Sequence, residues 1–164
     1  MSREARDELV RDILRNGWDA SNTYGLTPTI IFGWYDDKPD GQPALTLRRQ
    51  TELPFDGGQT GYAAFDPTGA GSIQRRTGVV RCHIWVESGD LGGASTDFPE
   101  PYASEVVEEI ARIIDANQDQ PTNPNTGNQP VQGLAPGEDN VVPEPEKPGV
   151  FHWFADATYW YTDD

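Results

Sequence analysis

The sequence predicts an α+β fold: a mostly antiparallel sheet of about four to five strands packed against two helices, with two long loops. Three patterns predict it. Two stretches carry helical apolar spacing, several β-branched and aromatic runs alternate as strands do, and two segments lack apolar anchors. At 164 residues the chain has the length of a single domain, 1–164.

Ser2 to Arg15 reads as an amphipathic helix, because Ala5, Leu9, Val10, Ile13 and Leu14 fall on one face. Ser2 suits the N-cap, Glu4 the first turn, and Arg15 before Asn16-Gly17 gives a stop. Trp18 to Leu26 is a polar loop. Thr29 to Tyr35 is a strand entered after Pro28 and left at the turn cluster Asp36 to Gly41. Ala44 to Leu53 follows with Leu45, Leu47 and Arg49 on one side and Thr46, Arg48 and Gln50 on the other. These two runs are expected to pair as a hairpin with one solvated face.

Residues 54–77 form a long Gly-rich loop or extended hairpin carrying Phe55, Tyr62, Phe65, Arg75 and Arg76. Gly78 to Glu87 returns as a strand, with Val80, Cys82, Ile84 and Val86 on one face and Val79, Arg81, His83 and Trp85 on the other. The second helix runs from Tyr102 to Ala116, with Val106, Val107, Ile110, Ile113 and Ile114 as its buried stripe. Residues 115–149 are rich in Pro, Asn, Gln, Gly and Glu and bury too little apolar surface to offset their ordering entropy, so a flexible segment is expected. Val150 to Thr162 is a last strand whose aromatics, Phe151, Trp153, Phe154, Tyr159, Trp160 and Tyr161, fall on both faces.

Charge bounds the function classes. The net charge is −15 with 27 acidic residues, and Lys38 and Lys147 are the only lysines. Such self-repulsion favours high salt, where the Debye length falls to about 3 Å. Scarce lysine and 35 % hydrophobic content fit a halophile cytoplasm, against the plainer reading of an acidic mesophilic protein. Binding to the outside of nucleic acid by phosphate neutralisation needs a basic face and is not expected. One cysteine excludes an internal disulfide, and no apolar run approaches the roughly 20 residues a membrane helix needs. Met1-Ser2-Arg3-Glu4 runs straight into a charged helix without a secretion signal, so a soluble protein made inside a cell is expected.

No catalytic, cofactor or metal site is expected. The turn Asp36–Gly41 places Lys38 and Leu47 where a calcium loop needs ligands. Gly69-Ala70-Gly71 lacks the third glycine of a dinucleotide loop, and no Gly-Lys-Ser/Thr occurs. His83 and His152 could approach if their strands pair, but two histidines alone make a poor zinc site. Cys82 reads as a small core residue. Arg48, Arg49, Arg75, Arg76 and Arg81 stand out in so acidic a chain; interfacial salt bridges and internal charge balance are both open uses. A subunit interface is expected at Arg48, Arg49, Phe55, Tyr62, Phe65, Arg75, Arg76, Trp153 and Trp160, because interfaces are rich in arginine and aromatics.

The helix Arg3–Arg15, the run Pro28-Thr29-Ile30-Ile31-Phe32-Gly33-Trp34, the strand Val80-Arg81-Cys82-His83-Ile84-Trp85-Val86 and the helix Ser104–Ala116 follow one another in an order that resembles the tail terminator and tail-completion (neck) proteins of long-tailed viruses. Composition adds a host among halophilic archaea. The resemblance covers most of the chain outside the two long loops and is one of layout and strand texture. It implies a sheet backed by two helices, and a homohexameric ring that closes the tail tube, meets the tail-tube protein and the head connector, and lets DNA pass without specific binding. The virion would be its location, assembled in the host cytoplasm. Other readings are a head-closure or other neck subunit, a cytoplasmic ligand-binding module using Trp34, Trp85 and Trp153 around a pocket, and a metal-dependent nuclease.

Overall fold

Apolar spacing and caps set the two helices. In the computed structural model, which describes residues 2–54, 62–64, 73–91, 99–142 and 149–163, α1 spans Arg3–Gly17 and α2 spans Pro99–Ala116. The Ser2 hydroxyl accepts the Ala5 N–H at 3.2 Å, satisfying one of the donors that a helix start leaves open. α1 buries Leu9, Val10, Ile13 and Leu14, and α2 buries Tyr102, Ala103, Val106, Ile110, Ile113 and Ile114.

Strands β1 (Thr29–Phe32), β2 (Ala44–Pro54), β4 (Ile73–Glu87), β6 (Val150–Asp163) and β5 (Gly133–Val141) lie side by side in that order, and the short β3 (Tyr62–Ala64) pairs β4. Each neighbouring pair is antiparallel except β1 and β2. This is the α+β fold expected. Both helices pack on one face of the sheet, where Ile30, Leu45, Leu47, Val80, Cys82, Ile84, Val86, Leu134, Ala155, Ala157, Tyr159 and Tyr161 complete a single core. Burying each such Leu or Ile side chain contributes roughly 1.5–3 kcal/mol. Cys82 is in that core as expected, and burial pushes its thiol up to about 12.

Two expectations are corrected. Thr29–Phe32 and Ala44–Leu47 pair parallel, so they are not a hairpin. Between them, Gly33 to Pro43 crosses the sheet face that lacks helices, with a short 3-10 turn at Tyr35–Asp37. Strand alternation is identical for both pairings, so the sequence pattern cannot separate them; the crossover is held by tertiary contacts. Lys38 is one of them. Its ammonium bonds Asp90 at 3.0 Å and sits 3.7 Å from Glu87, with the side chain only 3 % exposed.

The second correction falls between residues 115 and 149, where β5 adds an edge strand to β6. The stretch before it is fixed by polar partners. Asn123 donates to Asp12 of α1 at 3.0 Å, Gln120 N–H donates to Gln132 carbonyl at 2.9 Å, and Leu134 N–H donates to Gln118 carbonyl at 3.0 Å. Hydrogen bonds to a preformed partner order this segment, and an argument from apolar content does not register them. In 54–77, β3 pairs β4 beyond the point where β2 ends; Phe55, Phe65 and the side chain of Tyr62 lie outside what is described. No described helix is long and apolar enough to cross a membrane.

Candidate functional site

One end of the helix-covered sheet face gathers the chain's scarce positive charge. Arg3 and Arg6 come from the first turn of α1, Glu52 from β2, Arg76 from β4, and Tyr161 and Thr162 from β6; Gln129 to Gln132 close the far side of a hollow of about 600 Å³. Strand register makes this meeting, because Arg76 pairs Tyr161 and a bulge between Arg49 and Thr51 turns Glu52 toward α1. Glu52 is the hub. Its carboxylate accepts from Arg6 Nε at 2.7 Å, Arg3 Nε at 3.0 Å and the Tyr159 hydroxyl at 2.6 Å. Burial works to raise its pKa, but the hydrogen bonds from Arg6 and Tyr159 outweigh it and hold the carboxyl at about 2. The Arg6 guanidinium lies 3.9 Å over the Tyr161 ring, which fixes its plane.

The opposite face carries an aromatic box under the Gly33–Pro43 crossover. Trp34 stands edge-on to Trp85 at 4.9 Å and to His83 at 4.5 Å, and Trp85 stacks on His152 at 3.7 Å. His83 Nδ1 and His152 Nε2 are 2.8 Å apart, so one proton lies between them. His83 Nε2 is buried without a hydrogen-bond partner among the described residues. Trp85 Nε1 donates to Thr46 at 2.9 Å. No cluster of three or more metal-ligating side chains occurs among the described residues.

Burial, then the positive charges of His152, Arg81 and Arg48, push the His83 pKa down to about 3. The unfolded imidazole titrates at about 6.5, so the neutral His83 ring stabilises the fold fully above that pH. As pH falls below 6.5 the unfolded chain takes the proton first, and stability is expected to drop by about 1.4 kcal/mol per pH unit until the folded pKa is reached. Urea unfolding across that range checks it. His83→Gln is expected to remove one proton's worth of the slope, and an unchanged slope would show that His83 is not held neutral.

The expected interface residues divide. Arg49 pairs with Asp7 of α1, and Arg48 lies 4.8 Å over Trp34, so both serve the chain's own packing. Arg81 likewise pairs with Asp156 at 2.8 Å. Trp160 covers Gly133, where a methyl group would come within 1.9 Å of the indole. Trp153 packs against the core beneath the helices. Because Trp153 is on the helix face and Trp34 and Trp85 are on the other, the three do not surround one pocket, which corrects that part of the expectation. Arg76 lines the hollow, and Arg75 is half-buried on the opposite face of β4. Sequence reasoning missed Arg3, Arg6 and Glu52; the signal was the i,i+3 spacing of two arginines in the first helical turn, where acids are the usual choice. Neither a protein-family model nor a curated protein matches the chain.

Proposed function

We propose that this chain is a structural virion subunit that assembles as a ring closing a viral tail tube and joining it to the head connector. The observation that carries the reading is the layout. A leading helix, long paired strands, a second helix and a long final strand form a sheet backed by both helices on one face, which is what the tail terminator resemblance implies. The charge distribution also favours it. A head-to-tail ring needs two unlike surfaces that complement each other. A hollow with three arginines and one glutamate, on a chain of net charge −15, supplies one surface and the acidic remainder supplies the other. An acidic channel wall repels DNA phosphates and lets the genome slide.

Light scattering behind a sizing column, in molar KCl with negative-stain images of the peak, tests it. A ring of about six subunits is expected, on closed head-to-tail symmetry. A monomer at every concentration, with no ring formed on added tail tubes, would sink the reading.

A further inference from the structure

We propose that the Gly33–Pro43 crossover is an acid-released strap: protonation of the buried histidine pair lifts Trp34 from the sheet and opens the base beneath it, while both helices and the sheet stay folded. The proposal stands apart from the ring reading.

The build of the crossover is the first argument. Near its two ends lie glycines in left-handed backbone, Gly33 at φ 143° and Gly41 at φ 74°, where the chain can change direction at little steric cost. No residue from Gly33 to Gln42 is buried, yet the base beneath is: Trp85 is 1 % exposed, His152 5 % and His83 7 %. Elements that bury little surface of their own open before the core does. Trp34 makes the seal, edge-on to His83 and Trp85 and also to His152 at 5.8 Å. The Asp37 carboxylate accepts the Trp34 N–H at 2.9 Å, so the indole and the 3-10 turn move as one piece. β1 has anchors of its own, Ile30 in the core and Arg15 Nε donating to the Ile30 carbonyl at 2.8 Å, and it stays in place when the strap lifts.

Charge is the second. Two neutral imidazoles meeting at 2.8 Å hold two ring protons in all, and a third makes an imidazolium inside the box. Among the described residues, Arg81 of β4 and Arg48 of β2 face it with the same sign, and Asp156 of β6 is engaged by Arg81. On the crossover itself, Asp36, Asp37 and Asp40 are exposed, while Tyr35 and Lys38 are bound to Glu87 and Asp90. The Trp85 ring stacked on His152 favours a cation, as an aromatic face does. Burial leads and the like charges follow in opposing it, and together they hold His83 down to about 3. Lifting the strap returns the rings to water, where imidazole titrates at about 6.5, so the open state takes the proton.

The reporter is the Trp85 indole N–H, which donates to Thr46 under the strap. Its hydrogen exchange, followed by NMR on the full chain in molar KCl from about pH 7.5 to 5, is compared with that of the Ile84 N–H in β4, a central strand. That window lies above the ordinary carboxylate range. Below about pH 6.5 the indole's protection is expected to fall at least tenfold per pH unit, one proton's worth of linkage from His83, and to stay below that of Ile84 throughout. His83→Gln should remove about a tenfold factor per pH unit from that slope, and adding His152→Gln should abolish what is left. Tyr35→Phe, which loses the bond to Glu87, should lower protection by one constant factor at every pH. Wild-type protection that does not change with pH overturns the proposal. Matched protection of the indole and Ile84 overturns it too, because the base then opens only with the whole fold. So does a slope that His83→Gln leaves unchanged, or one that Tyr35→Phe alters, which would put the responding proton at Glu87.

Discussion

Replacing Gly78 with alanine is expected to cost about 3 kcal/mol of stability, the upper range for overpacking a core. A methyl group there would lie 2.3 Å from Tyr159 Cζ and 2.4 Å from its hydroxyl oxygen, closer than real contacts permit. The ring has nowhere to go. Tyr159 is fully buried in the main core, and its hydroxyl is tied to Glu52. Moving it would break the hub of the arginine hollow as well as the packing beneath α1. Gly89→Ala is the matched control, because nothing among the described residues lies within 4 Å of its added methyl, and a change within about 0.5 kcal/mol is expected there. Urea midpoints of both variants in molar KCl make the comparison. Equal midpoints would show that the Tyr159 ring does not sit over β4 at Gly78.

The second large effect belongs to Glu52→Ala. It removes a carboxylate that Arg6, Arg3 and Tyr159 share, and breaking a buried ion pair from one side costs about 3–5 kcal/mol. The same group makes the fold acid-sensitive. Its folded carboxyl is held at about 2, below the unfolded value of about 4.3. The stabilisation is therefore complete above the unfolded value and is lost as pH falls through the interval toward 2. Glu52→Gln keeps an acceptor for Tyr159 and is expected to lose less at neutral pH while flattening the acid limb. Combining Glu52→Ala with Arg6→Met should cost less than the two single changes added together, because the second change removes the charge that the first exposes. Strict additivity in that cycle would mean that Arg6 and Glu52 do not interact.

The acid limb thus has two parts. The His83 window begins near pH 6.5 and the Glu52 window near pH 4.3, so an unfolding series across pH resolves one before the other. Their locations differ too, since the histidine pair sits under the crossover and Glu52 at the sheet end under α1.

Both helices, the β4 face pattern and the final strand were legible from periodicity, because each is amphipathic against one core and period reports which side is wet. Leu45, Leu47, Val80, Cys82, Ile84 and Val86 are buried on the face their alternation indicated. Three features were not legible. Parallel pairing of β1 with β2 depends on where Gly33 to Pro43 crosses, and the Lys38 to Asp90 contact that pins it joins residues far apart in the chain. The edge strand β5 holds Gly-Glu-Asp-Asn at positions 137 to 140, a composition that reads as a turn and becomes a strand against β6. The arginine hollow draws on five separate parts of the chain, and no local window contains it.

Local chemistry in the chain therefore set what each segment can be: helix where apolar spacing is 3.6, strand where it is 2, with an acidic, lysine-poor composition throughout. Three-dimensional assembly chose the partners, placing His83 on His152, Trp160 on Gly133 and Glu52 among three arginines. The physical reason is range. Periodicity is encoded over a few residues and is read by solvent exposure, whereas register, crossover path and charge pairing depend on contacts whose sequence separation leaves no local trace.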